Sequence, residues 1–195
     1  MSKQYIFQTD WFSSTQHEWL DSLKHLKNCP QVSALEIGSF EGRSAIWLLE
    51  NILTHPSTHI TCVDTWKGSA EHSQTDIDFN TVEQHFDMNI SHSGFAHKIT
   101  KMKMASHIAL KMLPIDLFDF IYIDGSHKAS DVLEDAVLSW RLLKQGGIMI
   151  FDDYIWEPQY SDIESPKIAV DSFVKCFADQ ISQTKYTQQA TIAKK

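Results

Sequence analysis

Three features are scarce in this sequence, and each scarcity excludes a class of protein. Only three cysteines occur among 195 residues, widely spaced and without a C-x-x-C motif, so a disulfide framework is not indicated and a reducing, cytoplasmic location is expected. No block of basic residues stands out against the net charge of −8, which predicts that nucleic acid is not a partner. Apolar runs are no longer than strands and the first residues lack an apolar core, so neither a membrane span nor a signal peptide is expected.

Strand and helix patterns alternate along the chain, which predicts an α/β fold. Strands are predicted at residues 32–37, 59–63, 97–102, 117–123 and 148–151, and a closing hairpin at 181–187 and 189–193. Helices are predicted at residues 14–27 with Ser13 or Ser14 as cap, from 42 onward, at 76–90, 106–113 and 166–178, and at 128–144 with Gly146-Gly147 as its C-terminal cap. We therefore expect a single domain over residues 1–195, in which residues 1–30 form a helical extension. The core, residues 31–195, is expected to be a Rossmann-like, doubly wound, mostly parallel seven-stranded sheet with helices on both faces and a C-terminal antiparallel hairpin.

The segment from Glu36 to Ser44 is the most informative junction between a strand and a helix. It passes through two glycines, Gly38 and Gly42, which let the backbone turn tightly and approach a ligand. The first turn of the following helix offers unpaired N–H groups to an anionic group. The glycine spacing matches neither a P-loop, which needs Lys-Ser/Thr after its second glycine, nor the G-x-G-x-x-G dinucleotide motif. Glu36, two residues before Gly38, suits a ligand that carries an ammonium group.

An acidic residue also ends the second predicted strand. Asp64 lies 22 residues after Gly42, about where an acid binds ribose hydroxyls in nucleotide-binding α/β folds. A carboxylate can accept a hydrogen bond from both hydroxyls at once. The alternative is that Asp64 only caps a loop.

Three further carboxylates follow two strands that should be neighbours. Asp124 follows the fourth predicted strand, and Asp152 and Asp153 follow the fifth. Crowded carboxylates repel one another, so either a raised pKa or a compensating cation is expected. Mg²⁺ prefers oxygen ligands of this kind. The alternative is one helix-capping aspartate and two solvated ones.

His127 lies three residues after Asp124 and should share its rim of the sheet. A neutral imidazole beside a metal-bound hydroxyl can act as a general base, because its unperturbed pKa is about 6.5. The alternative is an exposed histidine in the first turn of a helix, as expected for most of the ten histidines of the chain.

Four segments together resemble the class I S-adenosylmethionine (SAM)-dependent methyltransferases. They are EIGSFEGRS at residues 36–44, VDTWKGS at 63–69, DFIYIDGSH at 119–127 and LLKQGGIMIFDDY at 142–154. Within this class, the sequence is most similar to metal-dependent O-methyltransferases acting on macrolide-linked sugars. Catechol-type enzymes are more distant, because they carry lysine where His127 lies and often asparagine where Asp153 lies. The resemblance covers about residues 31–193.

The resemblance implies a role for each matching residue. The cofactor-binding residues would be Glu36, Gly38, Ser39, Gly42, Ser44, Asp64, Trp66 and Ser106. Asp124, Asp152 and Asp153 would ligate Mg²⁺, and His127 would act as the base. The Asn-Pro-Pro-Tyr type of motif found in many amino-directed methyltransferases is absent after the fourth strand, which argues against DNA bases or protein amides as substrates.

The implied reaction is therefore Mg²⁺-assisted O-methylation of a small hydroxylated molecule, either sugar or phenol-like. Residues 72–78 and Tyr154, Ile155 and Trp156 are predicted to line the substrate pocket, which a second copy of the chain could complete as a homo-oligomer. Three alternatives stay open: a methyltransferase whose aspartates bind substrate without metal, a non-catalytic SAM-binding module, and an NAD-dependent oxidoreductase. The last lacks support from the glycine spacing.

Overall fold

The computed structural model describes residues 4–68, 76–155 and 161–195. The strands in these ranges are β1 (Ser33–Ile37), β2 (His59–Asp64), β3 (Ile99–Lys103), β4 (Phe118–Ile123), β5 (Leu143–Phe151), β6 (Ile181–Tyr186) and β7 (Ala190–Lys194). The α-helices are α1 (Gln16–Leu23), α2 (Arg43–Asn51), α3 (Phe79–Ser93), α4 (Ser106–Met112), α5 (Ala129–Trp140) and α6 (Pro166–Cys176). None of the described helices is long and apolar enough to cross a membrane.

The seven strands form a single sheet in the order β3-β2-β1-β4-β5-β7-β6. Strands β1 to β5 are parallel, and β7 runs antiparallel to both β5 and β6. This confirms the predicted doubly wound sheet with a C-terminal hairpin. The strand order reverses between β1 and β4, which is where open α/β sheets bind ligands at the carboxyl ends of their strands.

Strand β4 shows why both faces of the sheet are buried. Ile121 and Ile123 belong to the core that includes α5 and α6, whereas Phe120 and Tyr122 belong to the core that includes α1 and α2. Successive side chains of a strand point to opposite faces, so an apolar run is what a strand covered on both sides requires. Cys62 is fully buried in β2, in agreement with its predicted place in the core.

The predicted helix at 128–144 is wrong at its C-terminal end. Helix α5 ends at Trp140, and Leu143 already pairs with Phe118 as the first residue of β5. Gly146 and Gly147 lie inside β5, where the register shifts between Phe118 and Phe120 and Gly146 has φ +73°. The apolar residues after Trp140 fit the helical period, but the edge of β4 binds them as a strand with a bulge.

Other boundaries differ by smaller amounts. Helix α1 is shorter than predicted and is followed by a 3₁₀ turn at Lys24–Leu26. Its N-cap is Thr15, without a side-chain cap bond, rather than Ser13 or Ser14. A 3₁₀ turn replaces the start of the predicted third strand. Helix α3 begins at Phe79 because the Asp78 side chain accepts a hydrogen bond from the backbone N–H of Asn80.

Candidate functional site

The loop between β1 and α2 is a tight turn that depends on its glycines. Gly38 and Gly42 have φ +85° and +80°, in the left-handed region that glycine enters without strain. The Gly38 N–H donates to the Val63 carbonyl oxygen (2.9 Å), and the Gly42 N–H donates to that of Ser39 (2.7 Å). The first glycine of the loop is thus hydrogen-bonded to the neighbouring strand β2, and the second closes a turn within the loop just before α2.

Asp64, at the end of β2, connects this loop to the loop that follows β2. Its two carboxylate oxygens accept hydrogen bonds from the backbone N–H groups of Phe40 (2.8 Å) and Trp66 (2.7 Å). The Trp66 indole N–H in turn donates to the Phe40 carbonyl oxygen (2.8 Å). Asp64 therefore does cap a loop, and each of its oxygens keeps a further lone pair for a ligand.

A cavity of about 550 Å³ lies at the carboxyl ends of β1, β2 and β4. Five predicted site residues line it: Gly38, Asp64, Trp66, Ser106 and Asp124. Seven others do not: Glu36, Ser39, Gly42, Ser44, His127, Asp152 and Asp153. The volume is within the range of small-molecule sites, about 300–1,000 Å³. Aromatic rings of Trp11, Phe40 and Phe79 also line the cavity, although none of them was predicted.

Glu36 lies beneath the glycine loop rather than on the cavity wall. It is 2% exposed, and its Oε1 accepts a hydrogen bond from the Ser44 hydroxyl (2.6 Å). Its other oxygen, Oε2, has no hydrogen-bond partner among the described residues, and neither has the nearby Ser39 hydroxyl. Burial raises the pKa of Glu36 to about 7, with the Ser44 hydrogen bond opposing the shift.

Replacing Glu36 with glutamine should stabilise the ligand-free protein above neutral pH. Because the folded-state pKa lies above the unfolded value of 4.5, the charged form destabilises the fold increasingly from pH 4.5 upward and fully above pH 7. That penalty amounts to about 3 kcal/mol at pH 8, and glutamine keeps the acceptor for Ser44 without it. Urea denaturation at pH 5 and pH 8 checks this. An equal gain in the free energy of unfolding at pH 5 and at pH 8 would contradict the raised pKa of Glu36.

Part of the cavity wall is acidic, which the sequence analysis missed. Asp131, Glu134 and Asp135 of α5 line it together with Ser106. Burial raises the pKa of Asp135 to about 7, while a hydrogen bond with Ser106 opposes the shift. The available signal was an acid between the apolar Val132 and Ala136, on the face of the helix that packs on the core.

Asp124, His127 and Asp153 come together beside the cavity. Ligand atoms of these three side chains lie within 4.8 Å of one another, and His127 Nε2 lies 2.8 Å from Asp153 Oδ2. β4 and β5 are adjacent and parallel, so their carboxyl ends bring the three residues to one edge. Two carboxylates and an imidazole are groups that can hold a divalent cation.

Asp152 faces a different set of partners. Its Oδ2 accepts a hydrogen bond from the Tyr122 hydroxyl (2.6 Å), and its Oδ1 accepts one from the side-chain amide of Gln189 (2.8 Å). The Tyr122 hydroxyl also lies 3.0 Å from Asp124 Oδ2, between the two carboxylates. Sequence reasoning found neither Tyr122 nor Gln189.

Burial and crowding raise the pKa of two of these carboxyl groups. The pKa of Asp124 lies well above its usual value because of burial and the charges of Asp152 and Asp153. The pKa of Asp152 is raised by burial and by Asp153. This is the expected electrostatic signature of carboxylates gathered without a compensating charge.

The predicted substrate-pocket residues have mixed outcomes. The Tyr154 hydroxyl bonds Asp171 (2.9 Å) and Lys167 (2.8 Å) on α6, and Tyr154 does not line the cavity. Ile155 is exposed. Trp156 and most of residues 72–78 lie outside the described residues.

Solved structures with a similar fold include O-methyltransferases. The O-methyltransferase from Bacillus cereus in complex with SAH has a TM-score of 0.63 and 18% identity over 94% of this chain and 82% of that one. MycE, from the mycinamycin biosynthetic pathway in complex with Mg, SAH and mycinamycin VI, has a TM-score of 0.65 and 15% identity. That match covers 96% of this chain and 51% of the MycE chain. At these identities the similarity shows the fold.

Sequence comparison gives the family. The uncharacterized protein R132 of Acanthamoeba polyphaga mimivirus is 27% identical over 164 residues, 80% of this chain and 70% of that protein. A family model described as a methyltransferase domain matches residues 35–154, from the end of β1 past the three aspartates. This confirms the resemblance inferred from the four sequence segments: the chain belongs to the methyltransferase domain family and has the fold of SAM-dependent O-methyltransferases.

Proposed function

We propose that this protein transfers the methyl group of SAM to a hydroxyl of a small molecule, with Mg²⁺ held at the carboxyl ends of β4 and β5. One observation carries the proposal. The cavity at the strand ends is lined by Asp124, which also belongs to the Asp124–His127–Asp153 group. A ligand in the cavity and a hydroxylated substrate at this group would therefore be neighbours.

The residues around the cavity fit SAM. The buried Glu36 Oε2 lacks a hydrogen-bond partner in the described chain, and an ammonium group is the partner that a carboxylate most favours. Asp64 retains lone pairs for ribose hydroxyls, and Ser106 and Asp135 offer polar atoms for an adenine edge. The Glu36→Gln variant should then bind SAM about 10- to 100-fold more weakly, since a charge-assisted hydrogen bond contributes about 1.5–3 kcal/mol.

The acidic edge fits Mg²⁺. Asp124, Asp152 and Asp153 would supply the carboxylate oxygens that this ion prefers, and a cation would relieve the repulsion that raises the pKa of Asp124 and Asp152. At this edge the ion would supply Lewis-acid chemistry, lowering the pKa of a substrate hydroxyl. MycE, which has a similar fold, was solved in complex with Mg, SAH and mycinamycin VI, and this is consistent with a metal site in the fold.

His127 would remove the hydroxyl proton. The sulfonium of SAM makes its methyl group electrophilic, so the protein has to align the hydroxyl oxygen with that carbon and accept the proton. Asp153, 2.8 Å from His127 Nε2, holds the imidazole ring in orientation. His127 would accept the hydroxyl proton while the oxygen takes the methyl group and SAH leaves.

Removing the metal, or Asp152, should abolish turnover and leave cofactor binding largely intact. The test follows SAH formation with Mg²⁺ or EDTA, over a panel of sugars and catechols, in the wild type and in Asp152→Ala. Asp21→Ala, on the exposed side of α1, is the matched control and should keep wild-type turnover.

Full activity in EDTA, or in Asp152→Ala, would reject the metal-assisted mechanism. It would favour the metal-independent methyltransferase instead, in which the aspartates bind substrate directly. Binding of SAM without turnover on any acceptor would favour a non-catalytic module. Family membership gives the oxidoreductase alternative no support. The cytoplasmic location, the lack of a nucleic-acid partner and a homo-oligomer stay predictions.

A further inference from the structure

A buried hydrogen-bond chain connects the two ends of the protein to Asp152. Gln189, in the turn directly before β7, is 1% exposed. Its amide oxygen accepts a hydrogen bond from the indole N–H of Trp19 on α1 (3.0 Å), and its amide nitrogen donates to Asp152 Oδ1 (2.8 Å). These hydrogen bonds therefore link two residues that are 170 positions apart in sequence, Trp19 and Gln189, and end at the Asp152 carboxylate in the candidate site.

The indole, the amide and the carboxylate determine the direction in which these hydrogen bonds run. An indole N–H can only donate, and an ionised carboxylate can only accept. The amide of Gln189 is therefore held in one orientation, with its oxygen toward Trp19 and its nitrogen toward Asp152. Turning the amide over would bring two donors together on one side and two acceptors together on the other.

Trp19 also supports the second partner of Asp152. Its ring packs edge-on against Tyr122 with centroids 4.6 Å apart, and the Tyr122 hydroxyl bonds Asp152 Oδ2. Trp19 itself is fully buried. The Trp19 indole thus contacts both side chains that donate hydrogen bonds to the Asp152 carboxylate.

These supporting residues lie outside the matched family region, residues 35–154. Trp19 precedes that region and Gln189 follows it. The Thr187 hydroxyl donates to Glu18 (2.6 Å), which joins α1 to the turn that carries Gln189. The N-terminal extension and the C-terminal hairpin therefore meet directly behind the acidic edge.

We infer that Gln189 and Trp19 are positioning residues that hold the Asp152 carboxylate in the orientation required to bind a divalent cation. The inference rests on the proposed function, in which Asp152 is a ligand. It makes α1 and the β6–β7 hairpin working parts of the site. Partners that orient ligands typically change metal affinity by about 10- to 100-fold when they are removed.

Mn²⁺ binding to the full chain, followed by electron paramagnetic resonance, tests this without any turnover. Gln189→Met keeps the side-chain length and removes both hydrogen bonds, so Mn²⁺ should bind about 10- to 100-fold more weakly. Trp19→Phe keeps an aromatic ring and removes the donor, with an expected loss of about tenfold. The matched controls, Gln188→Met in the same turn and Trp47→Phe in the same aromatic cluster, should bind as the wild type does.

A double-mutant cycle separates positioning from general destabilisation. Asp152→Asn keeps one carbonyl oxygen as a weak ligand, so Mn²⁺ affinity stays measurable. If Gln189 acts through Asp152, adding Gln189→Met to Asp152→Asn should weaken Mn²⁺ binding less than about twofold further. A structural role predicts the full loss in both backgrounds.

The outcomes distinguish this inference from the proposal on which it rests. Mn²⁺ binding by the wild type that is unchanged in Gln189→Met, or equal losses in both backgrounds of the cycle, overturns the positioning role alone. A wild-type protein that does not bind Mn²⁺ overturns the metal site, and the positioning role with it. A loss that vanishes in the Asp152→Asn background supports both.

Discussion

Replacing Gly38 with alanine should distort the cavity at the carboxyl ends of β1, β2 and β4 and destabilise the fold by about 4 kcal/mol or more. A Cβ atom at this position would lie 1.8 Å from the carbonyl oxygen of Asp124 and 2.9 Å from the Cα atom of Gly125. Both are backbone atoms at the end of a central strand, so no side chain can rotate away. The glycine loop, or the backbone that leads to Asp124 and His127, has to shift.

A second glycine separates this clash from simple backbone strain. Gly94 has φ +77°, close to the +85° of Gly38, but a Cβ atom there would meet nothing within 4 Å. Gly94→Ala should therefore cost only about 1–2 kcal/mol, the price of a left-handed alanine. Urea denaturation and calorimetric titration of SAM check both variants. Equal destabilisation of the two variants, or normal SAM binding by Gly38→Ala, would contradict the tight packing of the loop on β4.

Replacing His127 with asparagine should lower turnover about 10²- to 10⁴-fold, the usual contribution of a general base. Asparagine can still hydrogen bond to Asp153 but cannot accept a proton near neutral pH. SAM affinity should stay close to that of the wild type, because His127 makes none of the proposed contacts to SAM, which involve Glu36, Asp64 and the Ser106–Asp135 pair. The measurement is the rate of SAH formation at saturating Mg²⁺, with SAM affinity determined in parallel.

His97→Asn is the control for this variant. His97 is exposed beside β3, so its replacement should leave the rate of SAH formation and the SAM affinity unchanged. Wild-type turnover in His127→Asn would exclude a base role and leave His127 with its contact to Asp153. A parallel loss of SAM affinity would indicate that the loop after β4 had changed shape.

The gathering of acids at one sheet edge was predictable from sequence. The apolar runs before Asp124 and Asp152 are unmistakable as buried parallel strands, and neighbouring parallel strands end at the same edge. This prediction required only that the two strands be parallel and adjacent, and it did not depend on accurate side-chain positions. The same argument placed Gly38 and Asp64 on the cavity correctly.

Side-chain direction and distant pairing were not predictable in this way. Glu36 is one residue from the cavity-lining Ile37, and strand alternation sends its side chain beneath the loop instead. Gln189 meets Trp19 across 170 residues, and no local pattern marks a polar residue in a hairpin as a buried link. The start of β5 was missed because Leu143 fits the helical period of α5 equally well.

The central claim is that the cavity at the carboxyl ends of β1, β2 and β4 binds SAM. Calorimetric titration of SAM into the purified protein, with NAD as the control ligand, tests it most directly. We expect saturable binding of SAM alone with a dissociation constant in the micromolar range, about −8 kcal/mol. A folded protein that does not bind SAM, or that binds NAD as tightly, would contradict the claim.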